Sequence, residues 1–136
     1  MRILSHFFFY TYIGLVLIAG FWGAFIYPKF DFQYLLRLDI DTLSEDTRNT
    51  LLSQYRFLRA IEFGFGLWAF YFTKRIFTEN VFNRLFLYIM LGGIVARIIG
   101  IVVEGVPSYA MLAFMIYELI AIIFIFIYTK MRIDAT

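Results

Sequence analysis

Four long apolar stretches, separated by polar clusters, set the pattern of this chain. Each is long enough to cross a bilayer as a helix, which takes about 20 residues at about 1.5 Å each. The first, Phe7 to Tyr27, carries no charge and ends at Pro28. A signal-peptide reading competes there because Met1 and Arg2 precede it. The stretch is long for such a segment, so a retained helix is expected. The second, Phe57 to Thr73, ends at Lys74 and Arg75. It continues a helix that starts in water, with Thr42 and Glu45 spaced as a capping box. The third, Leu85 to Val103, leads into a tight turn at Glu104-Gly105-Val106-Pro107-Ser108. The fourth, Tyr109 to Thr129, is closed by Lys130 and Arg132. The pattern predicts an all-α integral membrane four-helix bundle of up-down topology, one domain over residues 1–136.

Composition agrees. Hydrophobic residues make up 62% of the 136 and mean hydropathy is +0.80, well above the roughly half-apolar soluble average. So short a chain has too little interior to hide that much apolar surface from water. The absence of cysteine excludes disulfide frameworks, thiolate zinc sites and cysteine nucleophiles. A net charge of +2 with 16% charged residues excludes a nucleic-acid footprint.

The distribution of charge is more informative than its sum. Arg2, Lys74, Arg75, Arg84, Lys130 and Arg132 fall on one side of the predicted spans. On the other side, Lys29, Arg37 and Arg48 are offset by Asp31, Asp39, Asp41, Glu45 and Asp46. Positive residues favour the cytoplasm, so both termini are expected there. Between the first two spans, "KFDFQYLLRLDI" reads either as a short helix on the outer interface or as an aromatic belt.

Several charges fall inside the spans. Glu118 lies about ten residues past Ser108, roughly 15 Å deep and near the midplane. Arg97 lies about seven residues before Glu104, roughly 10 Å below the same face. Glu62 is at similar depth, with Arg59 one turn above it on the same helix face. Each Arg or Glu near a span centre costs about 2.5–3.5 kcal/mol, and interhelical polar contacts in membranes return about 0.6 kcal/mol on average. A polar cavity open to the outer side therefore explains Arg59, Glu62, Arg97, Glu104 and Glu118 better than stability does, with Arg97 as the partner of Glu118. The competing reading is a structural ion pair that fixes helix register. Gly92, Ala96 and Gly100 recur every fourth residue, as do Ala60 and Gly64; both stripes are expected to pack helices closely.

Other signals are weak. His6 is the single histidine and reads as interfacial rather than metal-binding. "GFGLWA" at 64–69 matches a dinucleotide-binding spacing without the strand–helix context it needs. No serine sits in a nucleophile motif, and no phosphate-loop or metal motif occurs. No cofactor is implied.

Arg59 and Ala60 followed by Gly64 and Gly66, "ARIIG" at 96–100 leading into "EGVPS" at 104–108, and then Glu118 resemble a family of small bacterial four-helix membrane proteins classed as a domain of unknown function and distantly similar to DoxX-like proteins. The family more often has Asp where this chain has Glu104, and Glu62 is atypical of it. The resemblance implies the fold and a place in the bacterial inner membrane, and adds emphasis to Arg97 and Glu118 without supplying a mechanism.

The expected function is binding of a small or amphipathic ligand, lipid or quinone-like, in a charged pocket facing the outer leaflet. Arg59 and Arg97 would hold an anionic or carbonyl group, and Glu62 and Glu118 would tune charge or accept a proton. The alternatives are an accessory subunit of a larger membrane complex and a proton-coupled transporter acting as an oligomer. Expected partners are membrane lipid, the amphipathic ligand, and a second copy or larger complex. An enzyme is the least supported class.

Overall fold

The computed structural model describes residues 1–133. Six α-helices follow one another, with no strand among the described residues: α1 (Arg2–Phe21), α2 (Pro28–Tyr34), α3 (Glu45–Tyr71), α4 (Thr73–Thr78), α5 (Asn80–Glu104) and α6 (Tyr109–Ile133). One turn of π-helix, Trp22–Ile26, prolongs α1, and a 3-10 turn, Ile40–Thr42, precedes α3.

Three stretches are long and apolar enough to cross a membrane: Arg2–Ile26, Asn80–Glu104 and Tyr109–Ile133. That is the pattern of a multi-pass membrane protein. The 27-residue α3 is not among them. Its first half is polar, Arg59 and Glu62 dilute the apolar half, and the expected second span, Phe57 to Thr73, runs past the end of α3 at Tyr71 into the start of α4. The outer-loop segment forms a true helix, α2, with Pro28 at its start, where a missing N–H costs nothing. The start of α3 differs from expectation. The Thr42 hydroxyl donates to the Asp39 carbonyl at 2.7 Å, within the 3-10 turn, instead of capping α3. Ser44, the residue before Glu45, donates instead to Thr47 Oγ1 at 2.8 Å. At the other turn, Gly105 has φ +102°, a conformation glycine adopts without steric cost, and this ends α5.

The helices form two compact units, Met1–Ile13 with the chain from Ala69 onward, and Gly14–Trp68. The core of the first unit is aromatic and aliphatic. Phe9 is fully buried, with ring centroids 5.1 Å from Phe77 and 5.2 Å from Phe86. His6 stacks on Phe77 at 4.2 Å, and its Nδ1 lies 2.8 Å from the Arg2 carbonyl oxygen. Polar groups in this core are all paired, as an apolar solvent requires. The Ser5 hydroxyl donates across to the Phe124 carbonyl of α6 at 2.8 Å. The Asn83 amide donates to the Ile76 carbonyl at 3.1 Å, and the Thr129 hydroxyl to the Ile125 carbonyl at 2.8 Å. Among the described residues, no buried side-chain nitrogen or oxygen lacks a partner.

The second unit holds the close helix approach. A Cβ on Gly20 would lie 2.8 Å from the Phe63 backbone nitrogen and 3.0 Å from the Arg59 carbonyl oxygen, so only glycine lets α1 come this near to α3. The stripes expected to do this work do not do it here. A Cβ on Gly64, Gly92 or Gly93 would meet nothing within 4 Å, and one on Gly100 would meet only Glu104 Oε2, at 3.1 Å. Spacing puts small residues on one face, but it does not say which face meets a neighbour.

Two glycines of α1 give a test of opposite sign. Gly14→Ala enters open space and should be neutral or stabilising by up to about 1 kcal/mol, because glycine weakens a helix interior. Gly20→Ala should destabilise by about 1–3 kcal/mol through overpacking against backbone. Unfolding of both variants in mixed detergent micelles checks the pair.

Candidate functional site

In the second unit the α3 residues Tyr55, Arg59 and Glu62 are spaced four and then three apart, which puts them on one helix face. The structure supplies that face with a partner that sequence reasoning had counted only as an outer-loop charge. Asp31, one turn into α2, is 5% exposed. The Tyr55 hydroxyl donates to Asp31 Oδ2 at 2.6 Å and accepts from Arg59 Nε at 2.8 Å and Nη2 at 2.6 Å. Arg59 Nη2 lies 3.1 Å from Asp31 Oδ2, and Nη1 donates to Glu62 Oε2 at 2.6 Å. Every guanidinium nitrogen of Arg59 thus has a protein partner.

The π-turn makes room for this network. A Cβ on Gly23 would lie 2.7 Å from Arg59 Cγ and 3.0 Å from Asp31 Oδ2. The turn closes with Tyr27 N–H on the Trp22 carbonyl at 3.0 Å. Arg56 Nη1 donates to the Ala24 carbonyl at 2.6 Å, satisfying an oxygen near the helix end, where carbonyls otherwise lack intrahelical donors. Nearby, Lys29 Nζ sits 2.7 Å from Asp41 Oδ1, with Arg48 Nη1 at 3.8 Å. The Lys29 ammonium, first through its hydrogen bond and then through its charge, holds the Asp41 carboxyl below the usual carboxylate range. The sequence signal for Asp31 was the Tyr55–Arg59–Glu62 face itself, which needs an acceptor from another element.

In the first unit Arg97 Nη1 of α5 donates to Glu118 Oε2 of α6. The side chains are 37% and 17% exposed, so the carboxylate is the more enclosed partner. Next to Glu118, Tyr117 shares a hydrogen bond between its hydroxyl and that of Thr11 on α1. Beside the ion pair, a cavity of about 400 Å³ opens toward the α5–α6 turn, with Arg97, Glu104, Pro107, Met111 and Met115 on its walls. Arg97 is the cation on that wall. Its Nε and Nη2 make no hydrogen bond among the described residues, so donors are left for an anion or a carbonyl oxygen.

Of the five sequence-predicted residues, Arg59 and Glu62 pair in the second unit, and Arg97, Glu118 and Glu104 gather in the first. Among the described residues no group of three or more His, Cys, Asp or Glu side chains is placed to hold a metal ion. The sequence profile of a domain of unknown function matches residues 1–129. The chain belongs to the DUF4345 family. No curated protein and no solved structure gives a significant match. Both charge centres lie within the DUF4345 region.

The Asp31 network has a sharp test in Tyr55→Phe. It removes the hydroxyl that donates to Asp31 and accepts from Arg59, leaving buried charged groups short of a partner. The variant should lose about 1–3 kcal/mol of stability, read as a shifted thermal or denaturant midpoint in detergent.

Proposed function

We propose that this DUF4345 protein crosses the cell membrane four times, through α1, the apolar half of α3, α5 and α6, with both termini cytoplasmic. The Arg97 cavity then binds the polar group of a small or amphipathic ligand from the outer leaflet. The observation that carries this is a guanidinium on a cavity wall with donors to spare. Arg97 is oriented by Glu118 yet only partly occupied by it. In apolar surroundings a charge of that kind marks a functional site by default.

The cavity volume of about 400 Å³ lies within the range of small-molecule sites. Its walls are apolar apart from Arg97 and Glu104, which suits an amphipathic molecule with one anionic or carbonyl oxygen. Glu118 sets the guanidinium orientation and offers a proton acceptor. Arg59, with each nitrogen engaged, ties α2 to α3. The positive-inside distribution of Arg2, Lys74, Arg75, Arg84, Lys130 and Arg132 supports the orientation.

A second reading has its own observation. Gly92 and Gly93 leave an open face on α5, of the kind small residues give to a docking helix in an accessory subunit.

Native mass spectrometry of the protein extracted in mild detergent tests the pocket. The wild type should carry a small-molecule adduct that Arg97→Ala loses by at least tenfold. Glu118→Gln should keep the adduct while loosening it. If the wild type carries no adduct, or if Arg97→Ala retains it undiminished, the pocket assignment fails.

A further inference from the structure

At the opposite end of the α5–α6 pair lies a larger cleft, about 610 Å³, that the Arg97 cavity does not explain. Its mouth carries Asn80 and Arg84 from α5 and Lys130 from α6. Asn83 and Thr129 line it near that mouth, and beyond them the walls are mostly aliphatic, including Leu87, Leu91, Leu119 and Ile123. Among the described residues neither Arg84 nor Lys130 makes a salt bridge, whereas nearby Arg75 is neutralised by Glu79 at 2.7 Å. The Lys130 ammonium lies 6.0 Å from the centroid of the Phe126 ring, the outer limit of a cation–π contact. The first turn of α5 has no acidic residue and no side-chain cap, so its free N–H groups add positive potential at the same mouth.

The dimensions select the occupant. From Asn80 to Leu91 the α5 wall is about 16 Å long at about 1.5 Å per residue. Half of a roughly 30 Å hydrocarbon core is about 15 Å. A groove one leaflet deep, polar and doubly cationic at one end and mostly aliphatic beyond Asn83 and Thr129, suits an acyl chain with an anionic headgroup. Basic sites between transmembrane helices on the cytoplasmic side take up such headgroups. We propose that the α5–α6 cleft binds one anionic phospholipid of the leaflet in which Arg84 and Lys130 lie, its phosphate between those two cations and an acyl chain along Leu87 and Leu91. Arg84 is about 20 Å along α5 from Arg97, so this site stands whether or not the Arg97 cavity is occupied.

The test titrates detergent-solubilised protein with phosphatidylglycerol and, separately, with phosphatidylcholine of the same chains, reading bound lipid by native mass spectrometry. The wild type should bind one phosphatidylglycerol at least tenfold more tightly than phosphatidylcholine. A surface cation contributes about fivefold to such binding, so Arg84→Gln with Lys130→Gln should reduce phosphatidylglycerol affinity by about thirtyfold and leave phosphatidylcholine unchanged. Ile123→Trp, which fills the groove and keeps both charges, should weaken both lipids. Equal retention of the two lipids by the wild type would overturn the proposal. So would a phosphatidylglycerol preference that survives loss of both cations, or a protein dimer that excludes lipid. Inorganic phosphate competing away the phosphatidylglycerol at millimolar concentration would also overturn it, because the groove would then contribute nothing.

Discussion

An arginine carried into apolar surroundings has to receive from protein the hydrogen bonds that water would have supplied, and much of this chain is arranged around that requirement. Arg59 shows it most fully. Three side chains serve its nitrogens, from two helices, and Gly23 gives up its Cβ so that the stem can pass. The π-turn, the short α2 helix begun by Pro28 and the close approach at Gly20 are all local structure that brings Asp31 within reach of α3. Removing both charges in favour of apolar residues is often neutral for stability. Retaining four polar side chains there therefore specifies how α1, α2 and α3 meet.

Arg97 meets the same requirement differently. Glu118 supplies one acceptor, and the remaining donors border a cavity instead of a second protein partner. A fully enclosed guanidinium ties helices together, while a partly served one beside a void is able to take a ligand oxygen. The difference between the two arginines is therefore one of saturation, and it is the reason the proposed binding role falls on Arg97 and not on Arg59.

Much of this was legible in the amino-acid sequence, for identifiable reasons. The α5 and α6 helices are long apolar runs with a glycine–proline turn between them, so the ends that flank the turn and the spacing of Arg97 and Glu118 from it follow from counting residues, while α5 begins five residues and α6 ends four residues outside the apolar runs, at Asn80 and Ile133. Their pairing follows from depth and opposite charge. Asp31 was hidden because it stands among Asp39, Asp41, Glu45 and Asp46, and nothing local marks it as the one that folds inward. Gly20 and Gly23 were passed over for the more regular Gly92–Ala96–Gly100 spacing. Contact depends on which face meets a neighbour, and periodicity alone does not record that. The α3 helix is the ambiguous element, since the charges that build the Arg59 network also lower its hydropathy.

Whether α3 crosses the membrane with those charges partnered is the central question. The cysteine-free background makes it directly measurable. Single Ser44→Cys and Thr78→Cys variants, on either side of α3, are exposed to a membrane-impermeant maleimide in right-side-out vesicles, before and after permeabilisation. Four crossings with both termini cytoplasmic require Ser44→Cys to label in sealed vesicles and Thr78→Cys to label only once the membrane is opened. If both positions label alike, α3 stays on one side and the partnered-charge account of its crossing is wrong.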